Sequence, residues 1–143
     1  MKALRSVVFA LGLLLIVSAA HAQSGAVSAS VPFDFVVGNQ VYAAGNYLLS
    51  PWGTVHESIL IQSRGESQNG MVLTHPCEKL NQAEKTVLVF HRYGDQYFLE
   101  QVWLKGHTIG RQFPESKIET QLAKKHTENR EVVMVPAPVT QNP

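Results

Sequence analysis

Between Thr86 and Lys105 the chain sets two β-prone runs on either side of Gly94-Asp95, and this arrangement constrains the fold more than any other feature. Gly-Asp between runs rich in Val, Leu, Phe and Tyr suits a two-residue type I′ or II′ turn, whose twist matches that of the strands it joins. With those two residues as the loop, Tyr93 faces Gln96. The same register sets His91 opposite Phe98, Phe90 opposite Leu99, Val89 opposite Glu100 and Val87 opposite Val102. One face then carries Leu88, Phe90, Tyr97, Leu99 and Trp103, and the other Val87, Val89, Phe98, Val102 and Leu104. Two apolar faces need cover on both sides, so the hairpin is expected at the centre of a layered β fold.

The rest of the chain is read around that centre. Val27, Ala29, Val31, Phe33 and Phe35 alternate with polar residues and predict a half-buried strand, with Pro32 placing it at an edge or interrupting it. Short strands are expected at Val41-Tyr42, Tyr47–Leu49, Ser58–Ser63 and Met71–Thr74. Turns are expected at 36–39 and 44–46, a break at Pro51-Trp52-Gly53, a polar loop at 64–70 and a polar excursion over 75–83. After Phe113 the period changes. Ser116 and Glu119 have the spacing of a capping box, which predicts a short helix over 116–127 with Ile118 and Leu122 on its inner face. Val132–Val135 reads as a last edge strand, and 136–143 as a loose tail. The expected fold is one mainly β domain over 23–135: a small antiparallel sandwich or partly open barrel of about six to eight strands with one short C-terminal helix.

Residues 1–22 have the three parts of a secretory signal: Lys2 and Arg5, an apolar run over Val7–Val17, and the small-residue site Ala20-His21-Ala22. That run is too short to span a bilayer, which takes about 20 apolar residues. Cleavage is expected after Ala22, giving a periplasmic or secreted domain with no membrane span. Without Lys2 and Arg5, the 12 basic residues fall to 10 against 11 acidic ones, a formal charge of −1. So balanced a chain has no electrostatic footprint for nucleic acid. Cys77 is the single cysteine, so no intramolecular disulfide supports the domain and its core must do so.

Three stretches carry a resemblance: Val31–Gly38, Ala44–Tyr47, and Leu88–Leu99 followed by Val102-Trp103. Together they resemble a group of small, uncharacterised secreted proteins of soil bacteria. That resemblance implies export and a β-rich fold, and it implies no particular chemistry.

Candidate sites follow from residue type and register. His91 and Glu100 are diagonal neighbours on one face of the hairpin, a structural ion pair, or the beginning of a general-base pair. Arg92 and Tyr97 lie opposite one another and suit an anionic ligand, or a guanidinium packed on a ring. Trp52, between Pro51 and Gly53, is a candidate contact residue. His75 and Cys77 are candidate metal ligands, yet no Cys-x-x-Cys or His-Glu-x-x-His spacing supports them; His56-Glu57 meets Leu60 where the second histidine would stand. Ser67 misses the nucleophile-elbow pattern by one residue. No cofactor is expected. The leading expectation is a non-enzymatic exported domain binding a ligand or envelope component near Trp52, Arg92 and Tyr97. A small hydrolase using His91 and Glu100, and a structural subunit pairing through edge strands, are the alternatives.

Overall fold

The structure, a computed structural model, describes residues 25–52, 57–65, 68–125 and 130–138. The signal segment 1–22 with its cleavage site, His56, Ser67, His126 and positions 139–143 lie outside the described residues.

Alternation starts at Val27, but Pro32 splits the first run in two. β1 (Val27–Val31) and β2 (Phe35–Val37) lie in different sheets, joined through Pro32-Phe33-Asp34. Proline brings no N–H to a ladder, so the chain leaves one sheet there and enters the other. Gly38-Asn39 turns β2 onto β3 (Gln40–Tyr42), with Val37 opposite Gln40. β4 (Gly45–Trp52), β5 (Ser58–Ser63) and β6 (Asn69–Leu73) follow. Pro51 and Trp52, expected to break the pattern, belong to β4 and pair with Ile59 and Ser58. β1 reaches along β4 only to Leu49, so no ladder bond is asked of Pro51 on that side.

β1, β4, β5 and β6 form one antiparallel sheet in the order β1-β4-β5-β6. The second sheet is built on the hairpin β8 (Val87–Tyr93) and β9 (Gln96–Trp103), and β11 (Glu131–Pro136) borders β8. Beyond β9 lie β10 (Ile109–Gln112) and then β7 (His75–Glu78), so part of the expected polar excursion is a strand. β2 also meets β9, in parallel, at Val36 and Phe98. The architecture is mainly β, two sheets with one short helix, α1 (Lys117–Lys125), and no closed barrel. The described residues form eleven strands rather than six to eight, because the first run divides between the sheets and β7 and β10 add strands where none was expected.

The turn of the central hairpin is as expected, with Tyr93 opposite Gln96 and Gly94 at a φ of 59°, the left-handed conformation that a primed turn requires. Phe90 and His91 also meet Leu99 and Phe98. Beyond them the expected register fails by one residue. Val89 opposes Gln101, Leu88 opposes Val102 and Val87 opposes Trp103, with the shift between Val89 and Phe90. Glu100 is thus the extra residue of a β-bulge. Side chains alternate with period two, so the insertion exchanges the faces of everything after it. Val102 joins Leu88, Phe90 and Leu99 between the sheets, while Trp103 turns outward to Val89 and Ala83.

Between the sheets, Phe35 stacks on Tyr42 and meets Tyr47 and Phe90 edge-on, with ring centroids 5.1 to 5.5 Å apart. Valine, leucine and isoleucine side chains from both sheets close around them. The helix starts where the capping box places it, with the Glu119 N–H donating to Ser116 Oγ at 3.0 Å. Its inner face differs from expectation, since Ile118 is half exposed and Glu119 is buried. The described part of the expected tail is packed rather than loose. Pro136 ends β11, Ala137 is buried with its N–H on the Thr86 carbonyl, and the Pro138 carbonyl accepts from Ser28 in β1.

Trp103 lies so close to β10 that only glycine fits at position 110. A Cβ on Gly110 would stand 2.7 Å from two ring carbons of Trp103 and from the Val102 carbonyl oxygen. Gly110→Ala is expected to cost roughly 1–3 kcal/mol, the usual penalty of overpacking. Gly65→Ala, with open space around position 65, should change stability by less than about 0.5 kcal/mol. Urea unfolding of the two variants checks the difference; equal midpoints would refute it.

Candidate functional site

The bulge and the helix together assemble a charged cluster on the outer face of the second sheet. His91 projects outward from β8, and Glu100, the inserted residue of β9, projects on the same side. Glu119 reaches the same place from the first turn of α1. Glu100 Oε2 contacts His91 Nε2, and Glu119 Oε1 lies 3.2 Å from His91 Nδ1, so each ring nitrogen faces a carboxylate. One donor atom from each of the three residues lies within 4.8 Å of the others. The side chains of His91 and Glu119 are 9% and 8% exposed. Glu100 Oε2 is shut off from solvent and receives no aligned hydrogen bond, so its approach to Nε2 is one of proximity and charge. Burial lifts the Glu100 carboxyl above its ordinary pKa; His91 draws it back and Glu119 lifts it further.

A cavity of about 100 Å³ opens onto this cluster, with Gln112, Glu115, Ala123 and Arg130 also on its wall. The expected pairing of His91 with Glu100 is therefore present, with Glu119 as an unforeseen third member. In the sequence Glu119 reads as the N3 residue of a capping box, whose carboxylate turns back to the N-cap. Here only the Ser116 half of that box forms, and the carboxylate goes to His91 instead. An imidazole between two carboxylates can share a cation with them. Among the described residues, the wall offers no Ser, Thr or Cys to act as a nucleophile.

The other candidates are dispersed. Arg92 sits over the Tyr97 ring, 5.5 Å from its centroid, and also donates to the Gly94 carbonyl and pairs with Glu131. Tyr97 in turn stacks on Phe33 at 3.7 Å. Trp52 ends β4, whose other end, at Gly45, pairs with Val31 just before Phe33. The backbone of Trp52 and the Arg92–Tyr97 pair therefore lie toward opposite ends of the sandwich. His75 and Cys77 share one face of β7, with His75 exposed and Cys77 half-buried against the Val89 and Trp103 cluster. Among the described residues no third donor joins them. One edge that an edge-pairing subunit could use is β6, five residues long and carrying the exposed Met71 and Leu73.

A second cavity, of about 210 Å³, lies where the sheets part beside Pro51. Val27, Leu49 and Ile59 of one sheet face Val102 and Leu104 of the other, and Ile109 stands exposed at the mouth. Arg111 completes the rim. Its Nε donates to Thr74 Oγ1 and its Nη2 to the carbonyls of Thr74 and Glu57. Among the described residues no carboxylate pairs with it. The expected register hid this cavity, because it turned Val102 and Leu104 to the other face.

Compared with protein families, with curated proteins and with solved structures, the chain matches none of them. Fold and sites together define a two-sheet β sandwich with an apolar cavity between its layers and a buried ionic cluster under its helix. Among the described residues, no helix is long and apolar enough to cross a membrane.

Burial pushes the Cys77 thiol above its ordinary pKa, partly offset by a hydrogen bond with the Gly110 backbone. A raised pKa means less thiolate, the reactive form, near neutral pH. Alkylation of folded protein at pH 8 is expected to run at least several-fold slower than in urea. Equal rates in the two conditions would contradict that placement.

Proposed function

We propose that this chain is an exported, non-catalytic domain that binds a small amphipathic molecule, an apolar tail with an acidic head, in the envelope or outside the cell. The observation that carries the reading is the apolar cavity between the sheets with Arg111 at its rim. Ligand sites are characteristically concave and apolar, with a few polar groups fixing orientation. At about 210 Å³ the cavity is smaller than the 300–1,000 Å³ of sites for drug-sized molecules, which favours a short acyl chain. A guanidinium held by neutral oxygens keeps its full charge available to an anionic head group. The signal-like segment from Lys2 to Ala22 supports export.

A hydrolase built on His91 and Glu100 is the second reading, favoured by their contact. It has less support because, among the described residues, the neighbouring cavity supplies no nucleophile.

Straight-chain carboxylates of increasing length test the proposal. The melting temperature should rise with chain length and then level off once the cavity is filled, because a ligand that binds only the folded state stabilises it by mass action. The matching alcohols should bind more weakly. Leu104→Trp, which fills the half-buried mouth, should lower carboxylate affinity at least tenfold without unfolding the domain. A response independent of chain length, or unchanged in Leu104→Trp, would remove the proposal.

A further inference from the structure

The charge balance around His91 leads to a second site. Two carboxylates, Glu100 and Glu119, converge on a single imidazole in a largely buried place. Even a protonated His91 neutralises only one of them. Among the described residues, the remaining charged groups facing the cavity are Glu115 and Arg130, and these cancel. One negative charge is therefore left over at a position where water is scarce. Buried charges are normally paired or coordinate a metal, because burying an unpaired one costs several kcal/mol or shifts its protonation. The donor geometry agrees with the charge count. Donor atoms bound to one ion at about 2.0–2.2 Å stand at most roughly 4.4 Å apart; the three here lie within 4.8 Å of one another, so small side-chain rotations that turn one ring nitrogen of His91 to the ion would complete the set. Glu100 Oε2, closed to solvent and without an aligned hydrogen bond, is the atom with the most to gain from a cation.

We infer that His91, Glu100 and Glu119 form a binding site for one divalent transition-metal ion. Imidazole with two carboxylates is a borderline donor set suited to Zn²⁺, Mn²⁺, Fe²⁺ or Co²⁺, whereas Mg²⁺ and Ca²⁺ prefer oxygen alone. Three protein ligands leave coordination positions open, and the 100 Å³ cavity gives water access to them. Glu100 is the inserted residue of the bulge and keeps the outward side of β9, the side His91 takes on β8. The site lies on different residues from the apolar cavity, so it stands or falls independently of the ligand proposed above.

Titration of metal-stripped protein with Co²⁺ provides the test, because the visible absorption of Co²⁺ reports its coordination. Saturable binding of one equivalent, with the band of a low-symmetry nitrogen and oxygen environment, is expected. Zn²⁺ should displace Co²⁺ and raise the melting temperature, while Mg²⁺ and Ca²⁺ at the same concentration should do neither. Glu100→Gln and Glu119→Gln should each weaken Co²⁺ binding at least tenfold, and His91→Gln more. Circular dichroism of each variant ensures that lost binding is not lost folding, and the ion selectivity of the unsubstituted protein does not depend on any variant folding. No saturable Co²⁺ band in the unsubstituted protein would overturn the inference. So would a band that survives in folded His91→Gln, which would place the ion on exposed histidines such as His75 or His107.

Discussion

Glu100 stands in β9 without a partner on β8, and strand alternation spreads the effect of that insertion along the whole second half of the strand. Before it, Leu99 faces the interior with Phe90. After it, Val102 takes the inward direction and Trp103 the outward one. Each side chain then finds cover suited to it. Val102 meets the aliphatic lining shared by both sheets, and Trp103 is closed over by Ala83, by Gly110 and by the Lys79 ammonium, 4.0 Å above the ring. Without the bulge, the indole would be driven into a core already filled by Phe35, Tyr42, Tyr47 and Phe90.

The same insertion gives β9 two different chemistries. Its inner face is apolar and adds its share to the transfer free energy of the core, on the order of 25 cal/mol per Å² buried. Its outer face brings Glu100 against an imidazole from β8 and a second carboxylate from α1, in a place where water is mostly excluded. Such a cluster is a poor way to gain stability, since apolar residues of similar volume often hold a fold together as well or better. A domain with no disulfide to support it keeps this arrangement at a cost. That cost is what marks the cluster as a site rather than a staple.

Much of this was legible in the sequence. Gly94-Asp95 specified a turn, alternation specified strands on both sides of it, and Ser116 specified where the helix begins. Those signals are local, and local rules govern them. The bulge left no such trace, because Val102 and Trp103 are both apolar and the pattern is satisfied in either register. The division of the first run between two sheets was half visible, in that Pro32 marked an interruption without telling where the chain goes next. Glu119 was hidden by its own plausibility as a capping residue, and Ile118, the apolar residue beside it, pointed to the wrong face of the helix. Arg111 and Leu104 could be joined into one cavity only after the sheets were placed face to face.

The two sites occupy opposite faces of β9, and this separates their chemistry more cleanly than distance alone. Val102 and Leu104 point into the space between the sheets, toward Val27, Leu49 and Ile59. Glu100 points away from it, toward His91 and α1. A side chain enlarged at Leu104 meets only the apolar lining, and a carboxylate made neutral at Glu100 meets only the ionic cluster. Substitutions well separated and without shared partners usually add in their effects. The proposed ligand and metal sites are therefore open to separate change in one small domain, because a single strand presents a greasy face to one and a charged face to the other.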